Sequence, residues 1–401
     1  MRGQSQFDSL RQINKLPFSA GREAGSGVGA PPYVRHRPER TLLYQIVDEY
    51  YPAFKAHLAA QGNALPGHVE QEFEEYLKCG RLEHGFLRVC CDTCHAEHLV
   101  AFSCKKRGFC PSCGARRMGE SAALLVDEVF PEQPVRQWVL SVPFPLRFLF
   151  ASHPEVMGRV LGIVYRCIAT HLIKKAGFSR KTAQTGAVTL IQRFGSALNL
   201  NVHFHMLFLD GVYIERPDGS LFFRWVKAPS GAELTRLTQT LARRIGRHLE
   251  RQGLLERDAE NSYLAGDGLE TGPMEQLLGS SITYRIAVGP QQGRKVFTLQ
   301  TLPAYEEPCD AGVGKVAGLS LHAGVVARAD QRQKLERLCR CISRPTIAEQ
   351  RLSLTPNGRV RYQLQTPYRD GTTYVIFEPL DFIARLAALV PKPLLHLTTF
   401  Q

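Results

Sequence analysis

Two imidazoles separated by one residue, His203 and His205, lie in the apolar run from Leu198 to Ile214. In an extended strand, side chains at i and i+2 point to one face, so the rings stand side by side and Phe204 turns to the other face. That geometry suits two ligands of one divalent ion able to polarise a phosphate oxygen. A hydrogen-bonded pair of core histidines would give the same pattern. Val202, Leu207, Leu209 and Val212 make the run apolar on both faces, which predicts a central, covered strand.

Sulfur supplies the second chemistry. Seven of the eleven cysteines fall between Cys79 and Cys113. Cys91-x2-Cys94 and Cys110-x2-Cys113 are separated by fifteen residues, a ribbon-like spacing for four thiolates around Zn²⁺. Cys104 is a further ligand candidate, and Cys79, Cys90, His95 and His98 are spare ones. His95-Ala96-Glu97 before Cys110-Pro111-Ser112-Cys113 faintly echoes a zinc deaminase, but the proline sits between the cysteines and two cysteines go unexplained. Lys105, Lys106, Arg107, Arg116 and Arg117 flank the cluster, as expected of a small zinc module facing DNA.

The elements that must position these groups follow from periodicity. The spacing predicts helices from Leu42 to Leu58, from Pro66 to Gly80, over 120–130, 154–176 and 232–252, and over 329–342. Strands are predicted over 135–142, closed by Pro143 and Pro145, and over 187–194, 198–214, 281–288, 295–300 and 318–327. The mixture implies an α+β fold with helices packed on a sheet. Residues 1–37 read as a flexible Gly-, Pro- and Arg-rich tail. With 50 Lys+Arg against 37 Asp+Glu, the net charge is +13, the footprint of a phosphate-backbone binder. No signal peptide opens the chain and no apolar run in the sequence has the length of a membrane span, so a cytoplasmic location is expected, with no membrane partner.

Three segments carry a family resemblance: FSCKKRGFCPSCGARR (102–117), QWVLSVPFPLRFLF (137–150) and VTLIQRFGSALNLNVHFHMLFLDGVY (188–213). Together with RDGTTYVIFEPLDFIARLAALVP (369–391), they resemble the HUH-type transposases of rolling-circle insertion sequences that carry an N-terminal zinc-binding domain. The resemblance implies an antiparallel HUH/RRM-like sheet, preceded by a helical segment and a small zinc-ribbon-like module. It implies that His203 and His205 bind Mg²⁺ or Mn²⁺, with Gln192 as first and His322 as second candidate for a third ligand. It also implies DNA partners, single-stranded or hairpin element ends, nicked and rejoined through a phosphotyrosine. Lys105, Lys106, Arg107, Arg116, Arg117 and Arg193 are then expected to contact DNA. The implied organisation is a tail (1–37), a helical plus zinc-binding DNA-recognition domain (38–120), an HUH catalytic domain (121–350) and a truncated C-terminal extension (351–401).

One position departs from the family pattern. Where that pattern has a nucleophilic tyrosine ahead of Arg-Pro, this chain reads Leu338-Cys339-Arg340-Cys341-Ile342-Ser343-Arg344-Pro345. Leu335, Leu338, Cys339 and Ile342 form the helix's core stripe, which leaves Cys341 outside it. A thiolate there would be nucleophilic but shorter than a phenol, and in-line attack tolerates little misplacement. The expectation is a catalytically impaired transposase, with Tyr284 and Tyr305 as remote substitutes. A non-catalytic zinc-dependent DNA-binding protein, or repressor of related elements, is the alternative.

Overall fold

The computed structural model describes residues 37–257, 262–264, 272–301, 313–393 and 395–401. Residues 1–36 of the expected tail, Tyr305 and Cys309 lie outside these residues.

Thr41 caps α1 (Leu42–Ala60) by accepting from the Tyr44 N–H, and α2 (Gly67–Lys78) follows. Phe73 of α2 stacks on Tyr51 of α1 at 4.4 Å and meets Phe109 at 4.8 Å. These rings fasten the cysteine-rich segment to the two helices. That segment contains the hairpin β1 (Phe86–Cys90) and β2 (Glu97–Ala101), then α3 (Pro111–Leu124). After β3 (Val135–Ser141), Pro143 and Pro145 do more than end a strand. They open α4 (Phe144–Ser152), because proline is pre-set for a first helical turn. The helix α5 (Pro154–Lys175) comes next. It is long and apolar enough to cross a membrane by composition, but it packs on α4 and α6, with half of its apolar window buried.

β4 (Ala183–Gln184), β5 (Ala187–Phe194), β6 (Leu200–Leu209), β7 (Gly211–Glu215) and β8 (Leu221–Trp225) lead to α6 (Gly231–Arg251), which begins with a Ser230/Glu233 capping box. The short β9 (Leu255–Arg257) and β10 (Ser262–Leu264) precede α7 (Pro273–Ile282). The strand expected over 281–288 is not formed. Pro273 starts a helix whose buried Met274, Leu277, Leu278, Ser281 and Ile282 keep helical spacing. β11 (Phe297–Gln300), β12 (Val313–Val316) and β13 (Leu319–Ala327) lead to α8 (Arg332–Ile342). β14 (Leu352–Leu354), β15 (Val360–Gln363), β16 (Thr372–Phe377), α9 (Pro379–Leu389) and β17 (Thr398–Phe400) complete the described chain.

The main sheet is antiparallel, in the order β12-β13-β3-β6-β5-β17, with the histidine strand β6 inside it. Its two faces are covered differently. Trp138, Leu140, Ile191, Phe204, Met206 and Phe208 join the large core with α4 to α7. Val135, Val188, Leu190, Leu207 and Leu209 pack instead against α3 and α8. Arg136 and Asp210 lock the end of β3 to the end of β6 through a buried, two-pronged ion pair at 2.7 and 2.8 Å. The fold class is therefore α+β, with antiparallel sheets and helices packed on them.

Residues 37–401 form one compact unit. Packing crosses the boundaries expected at 120 and 350: α3 lies on α8, α9 lies on α1, and β17 pairs with β5. The segment 351–401 thus belongs to the body of the fold.

Candidate functional site

His203 and His205 stand on the α8 side of β6, with ring centroids 4.9 Å apart and planes inclined at 65°. The Nδ1–H of His203 donates to the backbone oxygen of Asn201 at 2.8 Å, which leaves the Nε2 lone pair free. Nδ1 of His205 meets the side-chain amide of Gln137, on β3, at 2.7 Å. The Gln137 nitrogen donates in that contact and leaves the ring proton on Nε2; turning the amide by 180° would instead present its oxygen to Nδ1–H and free Nε2, a buried atom with no hydrogen-bond partner, for a metal. Burial lowers the pKa of His203 and, helped by the charges of His203 and Arg344, pushes that of His205 down to about 3. Both rings are therefore neutral at pH 7, the form that binds metal. Sequence reasoning missed Gln137; the single uncharged polar side chain among the apolar residues of 135–140 was its only signal.

Gln192 is the cross-strand partner of His203. Its Nε2 donates to the backbone oxygen of Ile342 at 3.2 Å, which ties the end of α8 to the histidine strand's neighbour and leaves Oε1 for a ligand. His322 sits farther away, opposite Val139, which in turn faces His205. Its ring packs over Gly324, and its nitrogens are not gathered with those of His203 and His205 at one point.

Helix α8 buries Leu335, Cys339 and Ile342 and leaves Cys341 exposed. Arg344 donates to the Cys341 oxygen at 3.3 Å and lies over the Phe194 ring at 5.5 Å. Its charge reaches both histidines, as does that of Arg147 on His203. Tyr284 is largely enclosed, with burial raising its pKa, and Arg147 is the group it shares with this neighbourhood.

Four sulfurs meet below the site, but they are not the four expected. Cys79, Cys104, Cys110 and Cys113 lie within 4.8 Å of one another. The sulfur–sulfur contacts run at 3.8 Å (79–110), 3.7 Å (79–113) and 3.5 Å (104–113). Sulfurs held at about 2.3 Å around tetrahedral Zn²⁺ would stand about 3.8 Å apart, so the set fits that ion. Cys110 and Cys113 come from the first turn of α3, and Cys79 from the C-terminal end of α2. The expected Cys91 and Cys94 sit instead at the turn joining β1 to β2, where Cys91 interacts with Cys94 and Thr93 rather than with the four clustered sulfurs. The physical reason is the hairpin: it projects Cys91 and Cys94 away while returning the chain so that Cys104 reaches Cys79, whose sulfur accepts the Cys104 N–H at 3.3 Å. Buried Glu72 supports this return by accepting the Gly108 N–H at 2.8 Å.

The basic residues divide. Lys106, Arg107 and Arg117 line a cleft of about 110 Å³ with Gln192 and Arg344, between the cysteine cluster and the end of α8. Lys105 is exposed nearby, and Arg116 is exposed but paired with Glu120 at 3.0 Å. Arg193 departs from that group: it is 5% exposed and, by strand alternation from Gln192, turns with Ile191 to the sheet face opposite the histidines, away from the basic cleft. A basic surface not foreseen lies between α5 and α6, where Arg159, Arg166, Arg244, Arg247 and Arg251 line one groove.

Comparison with family models supplies independent findings. A model described as a putative transposase matches residues 186–400, which span β5 through β17, the histidine strand and α8. A second, described as a transposase zinc-binding domain, matches residues 46–142 and so contains all four clustered cysteines. No curated protein and no solved structure matches the chain.

Proposed function

This chain belongs to the putative transposase family and carries a transposase zinc-binding domain, and on that premise we propose that it acts on DNA in the cytoplasm as an HUH-type single-strand endonuclease and transferase by descent. Its substrates would be single-stranded or hairpin ends of an insertion sequence. One juxtaposition carries the reading: the His203–His205 pair shares a sheet face with the end of α8, fastened there by Gln192 and Ile342. His203, His205 and Oε1 of Gln192 would hold Mg²⁺ or Mn²⁺, which when bound supplies Lewis-acid charge to a phosphate oxygen. Arg344 and Arg147 add fixed positive charge beside the pair. Lys106, Arg107 and Arg117, with exposed Lys105 and Arg116, would guide the strand from the zinc module toward α8. Among the expected organisation's parts, residues 38–120 then serve recognition and 121–350 chemistry, with 351–401 closing the sheet.

In the HUH transposases that the chain resembles, a tyrosine oxygen attacks phosphorus and the bond to O3′ breaks. A 5′-phosphotyrosine and a free 3′-OH result, and the reverse step rejoins strands. Here Cys341 holds that position, and its thiol ends several ångströms short of a phenol oxygen. We therefore read the protein as impaired in cleavage while competent in binding. Purified protein and its Cys341→Tyr variant, each given single-stranded oligonucleotides from the gene's flanks and Mn²⁺, test this on a denaturing gel. The expected result is a covalent adduct from the variant alone. An adduct from the unaltered protein would overturn the impairment, and none from either would overturn the nicking reading. The arginine groove of α5 and α6 favours the second reading, a DNA-binding protein or repressor, which retention of binding in both proteins without any adduct would support.

A further inference from the structure

On the sheet face opposite the histidines, a cavity of about 370 Å³ is lined by Leu65, His68, Arg193, Met274, Glu275 and Lys392, among others. Arg193 is the unusual member. It is buried, and its Nε and Nη1 atoms have no hydrogen-bond partner. Burial by itself depresses its pKa to about 10. A guanidinium so placed has lost its water without gaining a carboxylate, an arrangement that persists at a cost unless an anion completes it.

The rest of the wall matches an anion. Lys392 donates to the Ser152 oxygen at 2.7 Å and keeps two further N–H donors. Burial and the charges of Lys392 and Arg193 lower the pKa of His68, so it faces the cavity as a neutral ring at pH 7. Glu275 is the one carboxylate among the lining residues. One guanidinium and one ammonium against one carboxylate leave a single positive charge. Ala64, Leu65, Pro66, Ala151, Met274 and Leu278 supply apolar walls. The volume is that of a small-ligand pocket.

We propose that this cavity is a binding site for the phosphoryl group of a nucleotide, with Arg193 and Lys392 as its two cations and the apolar wall receiving the base. Arg presents a planar fork matched to phosphate oxygens, which a lysine cannot reproduce. The nucleotide is either free or the terminal residue of a DNA strand. The proposal is independent of strand nicking, since no residue of the cavity belongs to the histidine site.

The test uses the full chain with zinc bound, and compares wild type with Arg193→Met and Lys392→Met by calorimetric titration and thermal unfolding. The probes are inorganic phosphate, a deoxynucleoside monophosphate, and a short oligonucleotide with or without a terminal phosphate, against chloride at equal ionic strength. Phosphate and the monophosphate are expected to bind and raise Tm in the wild type. Affinity should fall at least tenfold in Arg193→Met and several-fold in Lys392→Met. Arg193→Met without anion should unfold no lower than wild type, since it removes an unpaired buried charge. Tighter binding of the phosphorylated oligonucleotide than of the monophosphate would assign the site to a strand end; the reverse order would assign it to a free nucleotide. Equal anion responses in wild type and Arg193→Met, or no response above chloride in wild type, would overturn the proposal. If Arg193→Met fails to fold, an unaltered phosphate affinity in Lys392→Met overturns it instead.

Discussion

The side-chain nitrogen of Gln192 donates to the backbone oxygen of Ile342 across 3.2 Å, in the interior. Through that bond the strand beside His203 holds the last turn of α8, the turn that carries Cys341. Helix C-terminal carbonyls have no partner within their own helix, so the bond also satisfies a group that would otherwise be buried unpaired. Gln192→Ala should lower unfolding free energy by about 1–3 kcal/mol in a urea titration. Combined with Cys341→Tyr, it should reduce adduct formation more than it reduces DNA binding. A stability unchanged by Gln192→Ala would remove the coupling.

The sulfur geometry assigns zinc to Cys79, Cys104, Cys110 and Cys113. Cys79→Ser or Cys104→Ser should abolish tight zinc binding, measured by metal analysis after gel filtration, and should lower stability together with it. Cys91→Ser with Cys94→Ser should retain the ion in that site. Loss of that zinc from the double variant would restore the two-knuckle ligand set.

Glu72 gives a pH signature. Burial raises its pKa, against the lowering effect of the Gly108 N–H bond. A carboxyl whose folded pKa lies above its unfolded value contributes stability that is full below the unfolded pKa. That contribution is lost as pH rises through the folded pKa. Glu72→Gln keeps the acceptor for Gly108 and removes the titration. The stability difference, wild type minus variant, should therefore fall as pH rises from just above 4, by at most about 1.4 kcal/mol per pH unit. A flat difference between pH 4 and 8 would mean that Glu72 titrates equally in both states.

The arginine groove predicts salt dependence. Arg166 of α5 and Arg247 of α6 face it from opposite sides. If DNA phosphates lie there, replacing each by Gln should reduce the slope of log K against log salt by about 1, across unrelated sequences. Anisotropy titrations with a labelled single strand measure this, and an unchanged slope would place the DNA elsewhere.

Local periodicity alone determined a good deal. Alternation of two put His203 and His205 on one face and Phe204 on the other; the 3.6-residue stripe of Leu335, Cys339 and Ile342 left Cys341 outside the core. Cys110-x2-Cys113 fixed two sulfurs in one helical turn. Such features depend on residues within one element, whose geometry each short stretch sets for itself. The other half of the sulfur site did not. Cys91-x2-Cys94 repeats the same local signature, yet packing of α2 and the return of the hairpin chose Cys79 and Cys104. The strand expected at 281–288 failed for a related reason, because burial against α4 and α9 favoured the helical stripe that begins at Met274. Only the tertiary structure brought Gln137 to His205, set Arg344 beside the pair and turned Arg193 into a cavity. Each of these relations joins segments distant in sequence, and which elements meet is decided by how the whole chain buries its apolar surface.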